Sequence, residues 1–423
     1  MTLDAILKSL KEVNNMTKQK KCWSRRNFLK TAGAAGVGSM ISPLIASSNA
    51  STNAPYLAIN LKTVPNRPFG KTGVNVSILS LGGSVNMQNS LLLLKQAVRW
   101  GITYWDTAHS YGGGSSERGI GKYFGKYPQD RKKIFLVTKS WAWTLKGMTK
   151  QLNQSLEKMK TDYIDLFFVH GISGIDEIDD QTRRWAEGVK SEGKIRFFGF
   201  STHSNMAECL LDASRLGWID GIMMTYNYRL MHNDRMRAAV DACAKAGIGL
   251  TAMKTQGGGA VKTNTDAELK IAGRFLEKGF TEGQAKLKAI WENPQIASIC
   301  SEIPNMTLLM SNAAAAMNTT TLSAVDMELL KQYAADNCSD YCAGCTHICE
   351  STLAASIPIG DIMRYLMYSR SYGDHERAVA GYRRISAAIR QKVTTTDYST
   401  AEKRCPQKMA ISRLMHEAAR KLS

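Results

Sequence analysis

The sequence predicts an α/β protein built on a parallel (β/α)8 barrel, followed by a small α-helical domain at the C-terminus. Eight short apolar runs alternate with amphipathic helical patterns over roughly 250 residues, which is the size of this barrel. Hydrophobic residues make up 44% of the 423 residues, enough for a large core. A doubly wound sheet is the alternative, but no glycine fingerprint follows the first predicted strand.

The apolar runs predict eight strands, at residues 76–81, 102–106, 134–139, 164–170, 195–201, 221–225, 249–254 and 296–303. The amphipathic segments between and after them predict helices at residues 90–100, 115–124, 145–159, 180–191, 206–216, 236–246, 266–290 and 306–317. Three more helices are predicted in the tail, at residues 359–370, 375–389 and 411–422.

The first fifty residues have the pattern of an export signal. Arg25 and Arg26 lie in a segment, residues 24–30, that matches the twin-arginine motif. A weakly apolar stretch follows at residues 31–46, and residues 48–50 offer small side chains for cleavage. We therefore expect export by the twin-arginine route to the periplasm or cell surface. No run of eighteen apolar residues occurs, so no transmembrane anchor is expected after cleavage.

The net charge of +19 has no long basic run outside this segment. Such a distribution is typical of a solvated basic surface, so we expect no nucleic-acid partner.

Four polar residues fall at the ends of three consecutive predicted strands. Asp106, Lys139 and His170 end strands two, three and four, and Tyr111 follows Asp106 in its loop. Because barrel enzymes place their chemistry at these strand ends, the four side chains are expected to meet.

These segments resemble the aldo-keto reductase family. The stretch at residues 106–112 with Ser116 and Glu117 is similar to the family motif around the catalytic tyrosine, and residues 137–139 and 163–170 are similar to the next two family segments. The resemblance covers residues 69–317 and includes all four catalytic residues. It implies a barrel enzyme that transfers hydride between NADPH or NADH and a small carbonyl or alcohol. Reduction of a carbonyl develops negative charge on oxygen, which a positioned acid must neutralise. Tyr111 is then the predicted acid, with Lys139 lowering its pKa, Asp106 balancing Lys139, and His170 orienting the carbonyl.

The resemblance also implies cofactor contacts. Met223 replaces the glutamine that many family members carry, and no cation occurs at residues 304–307, which leaves NADP against NAD open. The implied contacts come from strand ends and the loops after them: Ser201, Thr202, Tyr226, Lys254, Gly257, Gly258 and Asn312.

The last ninety residues carry most of the cysteines. Cys342, Cys345 and Cys349 form a C-x2-C-x3-C pattern, and Cys405 precedes a proline. Some aldo-keto reductases have a ferredoxin-like tail with such spacing, and this resemblance implies one [4Fe–4S] cluster on these four cysteines. A zinc site that uses Cys338 in place of Cys405, or with His347 as one ligand, is an alternative, and so are disulfides.

The predicted organisation is therefore a signal segment (residues 1–50), an aldo-keto reductase barrel (51–328) and a cysteine-rich helical tail (329–423). The predicted function is carbonyl reduction or alcohol oxidation, with the cluster exchanging electrons with a redox partner protein. Two alternatives from other classes are an exported electron-transfer protein and a non-catalytic binding protein on the same scaffold.

Overall fold

The computed structural model describes residues 63–259 and 266–423. The predicted signal, residues 1–50, lies outside this range. Eight parallel strands close into a barrel in sequence order, with the last strand beside the first, which confirms the predicted (β/α)8 architecture. These strands are β3 (Leu79–Gly82), β4 (Tyr104–Asp106), β5 (Phe135–Ser140), β6 (Ile164–His170), β7 (Ile195–Thr202), β8 (Gly221–Thr225), β9 (Gly249–Met253) and β10 (Ile296–Glu302).

The first predicted strand, residues 76–81, is wrong as a single element. The chain forms a short antiparallel hairpin from β1 (Asn66–Pro68) and β2 (Asn75–Ser77), and the barrel begins only at β3. The break occurs because the amide of Ile78 donates to the carbonyl of Pro65 instead of pairing in the barrel.

The hairpin closes one end of the barrel with the ring of Phe69. That ring is fully buried and packs with the rings of Tyr104 and Phe135. A Cβ atom at Gly249 would lie 2.4 Å from the ring, and one at Gly221 would lie 2.8 Å from it. Glycine at these two strand positions therefore leaves the room that the plug needs.

The barrel strands are covered by nine helices among the described residues: α1 (Leu91–Arg99), α2 (Ser115–Lys126), α3 (Leu145–Met159), α4 (Asp180–Ser191), α5 (Met206–Leu216), α6 (Asp234–Lys245), α7 (Asp266–Glu277), α8 (Glu282–Trp291) and α9 (Met306–Met317). The single helix predicted over residues 266–290 is wrong. It ends before Gly279, whose φ is 79°, and Thr281 and Gln284 cap the start of α8 reciprocally.

A helix that the sequence analysis did not predict, α10 (Ala324–Asp336), joins the barrel to the tail and crosses the predicted boundary between residues 328 and 329. Its buried Asp326 accepts hydrogen bonds from the amide and hydroxyl of Ser323 and from Arg274 and Lys278 of the barrel. The chain therefore leaves the barrel on an anchored helix.

The tail is helical, as predicted, and has an apolar core of its own. Its helices are α11 (Thr346–Cys349), α12 (Ile359–Ser371), α13 (His375–Arg384), α14 (Ala387–Lys392), α15 (Ser399–Arg404) and α16 (Ile411–Leu422). The single helix predicted over residues 375–389 is wrong, because Ile385 is extended and Ser386 caps a new helix. Within the described residues, no helix combines the length and apolar character required to cross a bilayer.

Candidate active site

The four predicted catalytic residues converge at one end of the barrel. Asp106 is the last residue of β4, Lys139 lies one residue before the end of β5, and His170 is the last residue of β6. These three strands are neighbours, so their carboxyl ends meet. Tyr111 begins a short 3₁₀ turn after β4, where Gly112 supplies a positive φ of 55°.

Asp106 and Lys139 form a buried ion pair. The Lys139 ammonium donates to Asp106 Oδ1 at 2.5 Å and to the carbonyl of Thr107 at 2.8 Å, and the two side chains are only 3% and 1% exposed. Burial by itself would lower the pKa of Lys139, but the charge of Asp106 outweighs it and raises that pKa. Lys139 is therefore a permanent cation in the mouth of the barrel.

Tyr111 lies over this pair. The Lys139 ammonium is 5.0 Å from the centroid of the Tyr111 ring, and the ring of His170 meets Tyr111 edge-on at 5.7 Å. Burial raises the pKa of Tyr111 to about 12, although the charge of Lys139 acts in the opposite direction. Lys139 therefore lowers the pKa of Tyr111, as predicted, but burial raises that pKa by more. The phenol keeps its proton at neutral pH.

His170 is the neutral partner in this group. It is 5% exposed, and its Nδ1 atom has no hydrogen-bond partner among the described residues. Burial, followed by the charge of Lys139, lowers its pKa well below the usual value. A buried ring nitrogen without a partner is costly, so the site is prepared for a polar ligand atom.

Two neighbours of the tetrad were missed as site residues. The ring of Trp141 lies 4.1 Å from the ring of His170, and an aromatic residue just after the predicted strand end at Lys139 could have signalled this. Cys300 of β10 is the second: burial and the nearby charge of Asp106 raise the pKa of its thiol. No local pattern signals Cys300, because β10 is brought beside β3 only by barrel closure.

The side chains predicted to contact the cofactor at the end of β7 and after β8 and β10 form hydrogen bonds within the protein. Ser201 Oγ accepts from the amide of Gly171, and Thr202 Oγ1 donates to the carbonyl of Ser204. Asn312 Nδ2 donates to Ser301 Oγ. The phenol of Tyr226 is buried and accepts from Asn293, so it offers no polar group to a ligand in the mouth.

The tail covers the glycine loop that follows β9. Asn227 Nδ2 donates to the phenol of Tyr341 at 2.9 Å. A Cβ atom at Gly258 would lie 3.1 Å from the Tyr341 ring, and one at Gly259 would lie 2.9 Å from the carbonyl oxygen of Ser371. The loop that was expected to approach a pyrophosphate is therefore covered by the tail, and Gly257 and Gly258 line a cavity together with Tyr341 and Ser371.

Side chains of the tail also reach the mouth. Tyr368 of α12 has the ammonium of Lys254 4.5 Å from its ring centroid and the guanidinium of Arg377 4.7 Å from it. Arg377 donates to Glu302, at the end of β10, at 2.8 Å. Burial would raise the pKa of Tyr368, but the charges of Lys254, Arg364 and Arg377 together lower it.

The cysteine loop, residues 342–349, is hydrogen-bonded to the loop after β7. The amide of Asn205 donates to the carbonyl of Gly344 at 2.7 Å, and Asn205 Oδ1 accepts from Thr346 and from the amide of His347. Gly344 has a φ of 75°, and a Cβ atom there would lie 2.4 Å from the carbonyl oxygen of His203. Only glycine permits this close approach.

Cys342, Cys345, Cys349 and Cys405 line one small cavity, and Cys338 does not line it. The eight cysteines of the described range are free thiols. Over this same range, no group of three or more His, Cys, Asp and Glu side chains has the arrangement for a single metal ion. The four predicted ligands therefore line one cavity without forming a site for a single metal ion.

Comparison with known proteins finds the following. The model of the aldo/keto reductase family matches residues 76–328. L-galactose dehydrogenase from Arabidopsis thaliana is 24% identical over 295 residues, which is 63% of this chain and 92% of that protein. The uncharacterized oxidoreductase YrpG from Bacillus subtilis is 25% identical over 240 residues, 50% of this chain and 73% of that protein. The holo form of aldo-keto reductase AKR11C1 from Bacillus halodurans shares the fold, with a TM-score of 0.55 at 21% identity, covering 64% and 96% of the two chains.

The Asp106–Lys139 pair predicts a large coupling in stability. Asp106→Asn or Lys139→Met alone should lower the free energy of unfolding by about 3–5 kcal/mol, because each leaves a buried charge without its partner. The double variant should recover part of that loss. Urea denaturation of the single and double variants measures the cycle. Glu187→Gln, at an exposed pair with Arg183, is the control and should change stability by less than about 1 kcal/mol. Single variants no less stable than this control would contradict a buried ion pair.

Proposed function

Since the chain belongs to the aldo/keto reductase family of oxidoreductases, we propose that it reduces an aldehyde or ketone, or oxidises the alcohol, with NADPH or NADH. The observation that carries this proposal is the convergence of Tyr111, Lys139, Asp106 and His170 at three neighbouring strand ends. The alternatives of a pure electron-transfer protein or a non-catalytic binding protein leave this arrangement without a role.

The residues around the mouth fit a nicotinamide cofactor. The buried Nδ1 atom of His170 lacks a partner and leaves a polar position for the carbonyl oxygen, while Lys254, Gly257 and Gly258 line a cavity beside the strand ends. Lys254, Gly257 and Gly258 would hold the cofactor, together with Ser201, Thr202 and Asn312. When bound, the nicotinamide supplies or accepts the hydride.

The side chains of the chain handle the proton and the orientation. Tyr111, protonated up to a pKa of about 12, donates to the carbonyl oxygen as negative charge develops there. Lys139, held by Asp106, stabilises the resulting phenolate, whose charge appears only during the reaction. Neutral His170 orients the oxygen, and the ring of Trp141 restricts the plane of the imidazole.

Tyr111→Phe tests this mechanism. The variant should lose about 10²–10⁴-fold in carbonyl reduction, because it lacks the proton donor, yet it should still bind nucleotide. The assay uses an aldehyde panel with NADH and NADPH, on the chain without residues 1–50. Tyr127→Phe, at the end of α2, is the matched control and should retain activity.

The pH profile gives a second measurement. Because the acid must be protonated, reduction should decline from loss of the Tyr111 proton only as the pH approaches about 12.

Full activity of Tyr111→Phe would overturn the proposed mechanism. A parent protein that neither turns over nor binds nucleotide would overturn the proposed function.

We also propose that the tail holds a [4Fe–4S] cluster on Cys342, Cys345, Cys349 and Cys405. Supporting this, the four thiols line one cavity whose other walls include Ile359, Met363 and Ile411. A cluster distributes its four thiolates over four iron atoms, so its ligands lie farther apart than those of one ion. The exclusion of Cys338 from the cavity favours the cluster over the zinc alternative. Its proposed role is one-electron exchange with a redox partner protein.

Iron analysis of the anaerobically purified chain tests the cluster. The parent should hold about four iron atoms per chain. Cys405→Ser should lower that number, because it removes a ligand, whereas Cys338→Ser should leave it unchanged. Zinc without iron in the parent would overturn the cluster, and iron loss on Cys338→Ser alone would reassign the ligands.

We propose that residues 1–50 direct export by the twin-arginine route, which transports folded proteins and therefore suits a chain with an assembled cofactor. The support is the order of motif, apolar stretch and cleavage site in the sequence. Arg25→Lys with Arg26→Lys should retain the precursor in the cytoplasm, as cell fractionation would show. Lys8→Arg with Lys11→Arg, which preserves the charge outside the motif, should be exported. Normal export of the Arg25/Arg26 variant would contradict this route.

A further inference from the structure

A cavity of about 250 Å³ lies between the mouth of the barrel and the tail. His203, Thr225 and Lys254 line it from the barrel, and Cys342 and Arg364 line it from the tail. His203 and Thr225 are joined by a 2.9 Å hydrogen bond between Nδ1 and Oγ1. The cavity therefore reaches from the strand ends beside the tetrad to the cysteine loop.

The lining of this cavity is strongly cationic. Among the described residues it includes five cations, Arg229, Lys254, Arg364, Arg370 and Arg413, and one carboxylate, Asp340. Two of the cations form hydrogen bonds or an ion pair within the protein. Arg229 donates to backbone carbonyls of Gly257 and Asn337, and Arg370 pairs with Glu417. Of the other three, Arg364 bonds to Asp361 through one nitrogen, and Lys254 and Arg413 have no carboxylate partner among the described residues.

Lys254 is the most informative of the three. It is half-buried, and no carboxylate in the described part of the chain pairs with its ammonium; its neighbour is the ring of Tyr368. Its backbone has a φ of 57°, a left-handed conformation that a non-glycine residue adopts at some cost. A half-buried ammonium without a counter-charge is unfavourable, and a ligand of opposite charge would stabilise it.

Arg364 and Arg413 complete the set from the tail. Arg364 donates to Asp361 through one nitrogen at 2.7 Å; the guanidinium is 17% exposed and the carboxylate 41% exposed. Arg413 is exposed and has no carboxylate partner among the described residues. Burial lowers the pKa of His203, and the charges of Arg364 and Lys254 lower it further, which shows that these cations act together on this region.

We propose that this cavity is an oxyanion-binding site, in which Lys254, Arg364 and Arg413 hold a phosphate or carboxylate group of a small ligand. A planar guanidinium and an ammonium are suited to such groups. Two of the three cations belong to the tail, outside the segment that matches the family model. The oxyanion is either the diphosphate of the nicotinamide cofactor or an acidic group on a separate ligand. The diphosphate reading rests on the proposed function, whereas a separate acidic ligand does not, and binding of the oxyanion is measured without turnover.

Calorimetric titration of the full, iron-loaded chain with inorganic diphosphate and with malonate tests the site. The parent should bind at least one of them, and more weakly as ionic strength rises. Arg364→Met and Lys254→Met should each weaken binding by about 10- to 100-fold, because each removes a charge-assisted hydrogen bond. Arg183→Met, on the outer face of α4, is the matched control and should bind as the parent does.

Competition identifies the source of the oxyanion. Displacement of the bound probe by NADPH or NADH assigns the site to the cofactor, and simultaneous binding assigns it to a separate acidic ligand; both results support the site. Iron content is measured on every variant, because the same cations could serve instead to balance the charge of the cluster. Absence of binding to the parent, unchanged binding in both variants, or iron loss with unchanged binding would overturn the proposal. Because these readouts need no turnover, they remain decisive even if the Tyr111 mechanism fails.

Discussion

The ion pair between Asp106 and Lys139 is the constraint around which the mouth of the barrel is organised. Two opposite charges are held almost without solvent, and neither can leave without stranding the other. The pair keeps a permanent cation beneath the phenol of Tyr111, and this same cation opposes protonation of His170. Burial keeps Tyr111 protonated and His170 neutral, and the charge of Lys139 opposes the first effect and reinforces the second.

The tail is a working part of this mouth. Tyr341 and Ser371 cover the glycine loop, Arg377 bonds to the end of β10, and Asn205 holds the cysteine loop to the end of β7. A ligand in the mouth therefore meets side chains of the tail as well as those of the barrel. The tail adds Arg364, Arg370 and Arg413 to the lining of the cavity, whereas residues 304–307 after β10 carry no charge.

Much of the barrel could be predicted because the apolar periodicity of each strand and helix lies within its own short segment of sequence. The bounds of β6, β8, α3 and α4 agree with the sequence pattern, since each is a continuous run between clear boundaries. The breaks at Ile78, Gly279 and Ile385 were missed, because each depends on a hydrogen bond or a cap that apolar periodicity does not encode.

The candidate site shows the same division. Asp106, Lys139 and His170 could be placed together, because the topology of a parallel barrel brings successive strand ends to one edge. Cys300, Tyr368 and Arg377 could not, since their proximity depends on barrel closure and on how the tail docks. The pKa of Tyr111 was also beyond sequence reasoning: the sign of the Lys139 effect follows from charge, but its size relative to burial requires the packed structure.

The contact between Asn205 and Gly344 has a consequence for the maturation of this protein. During synthesis the barrel sequence emerges first, while the glycine loop and the segment after β7 still lack the residues that cover them. These loops acquire their final contacts only when the cysteine loop docks, after the barrel sequence has been synthesised. Docking of the tail and completion of the mouth are thereby one event, so a chain whose tail has not yet docked lacks the final contacts around the mouth.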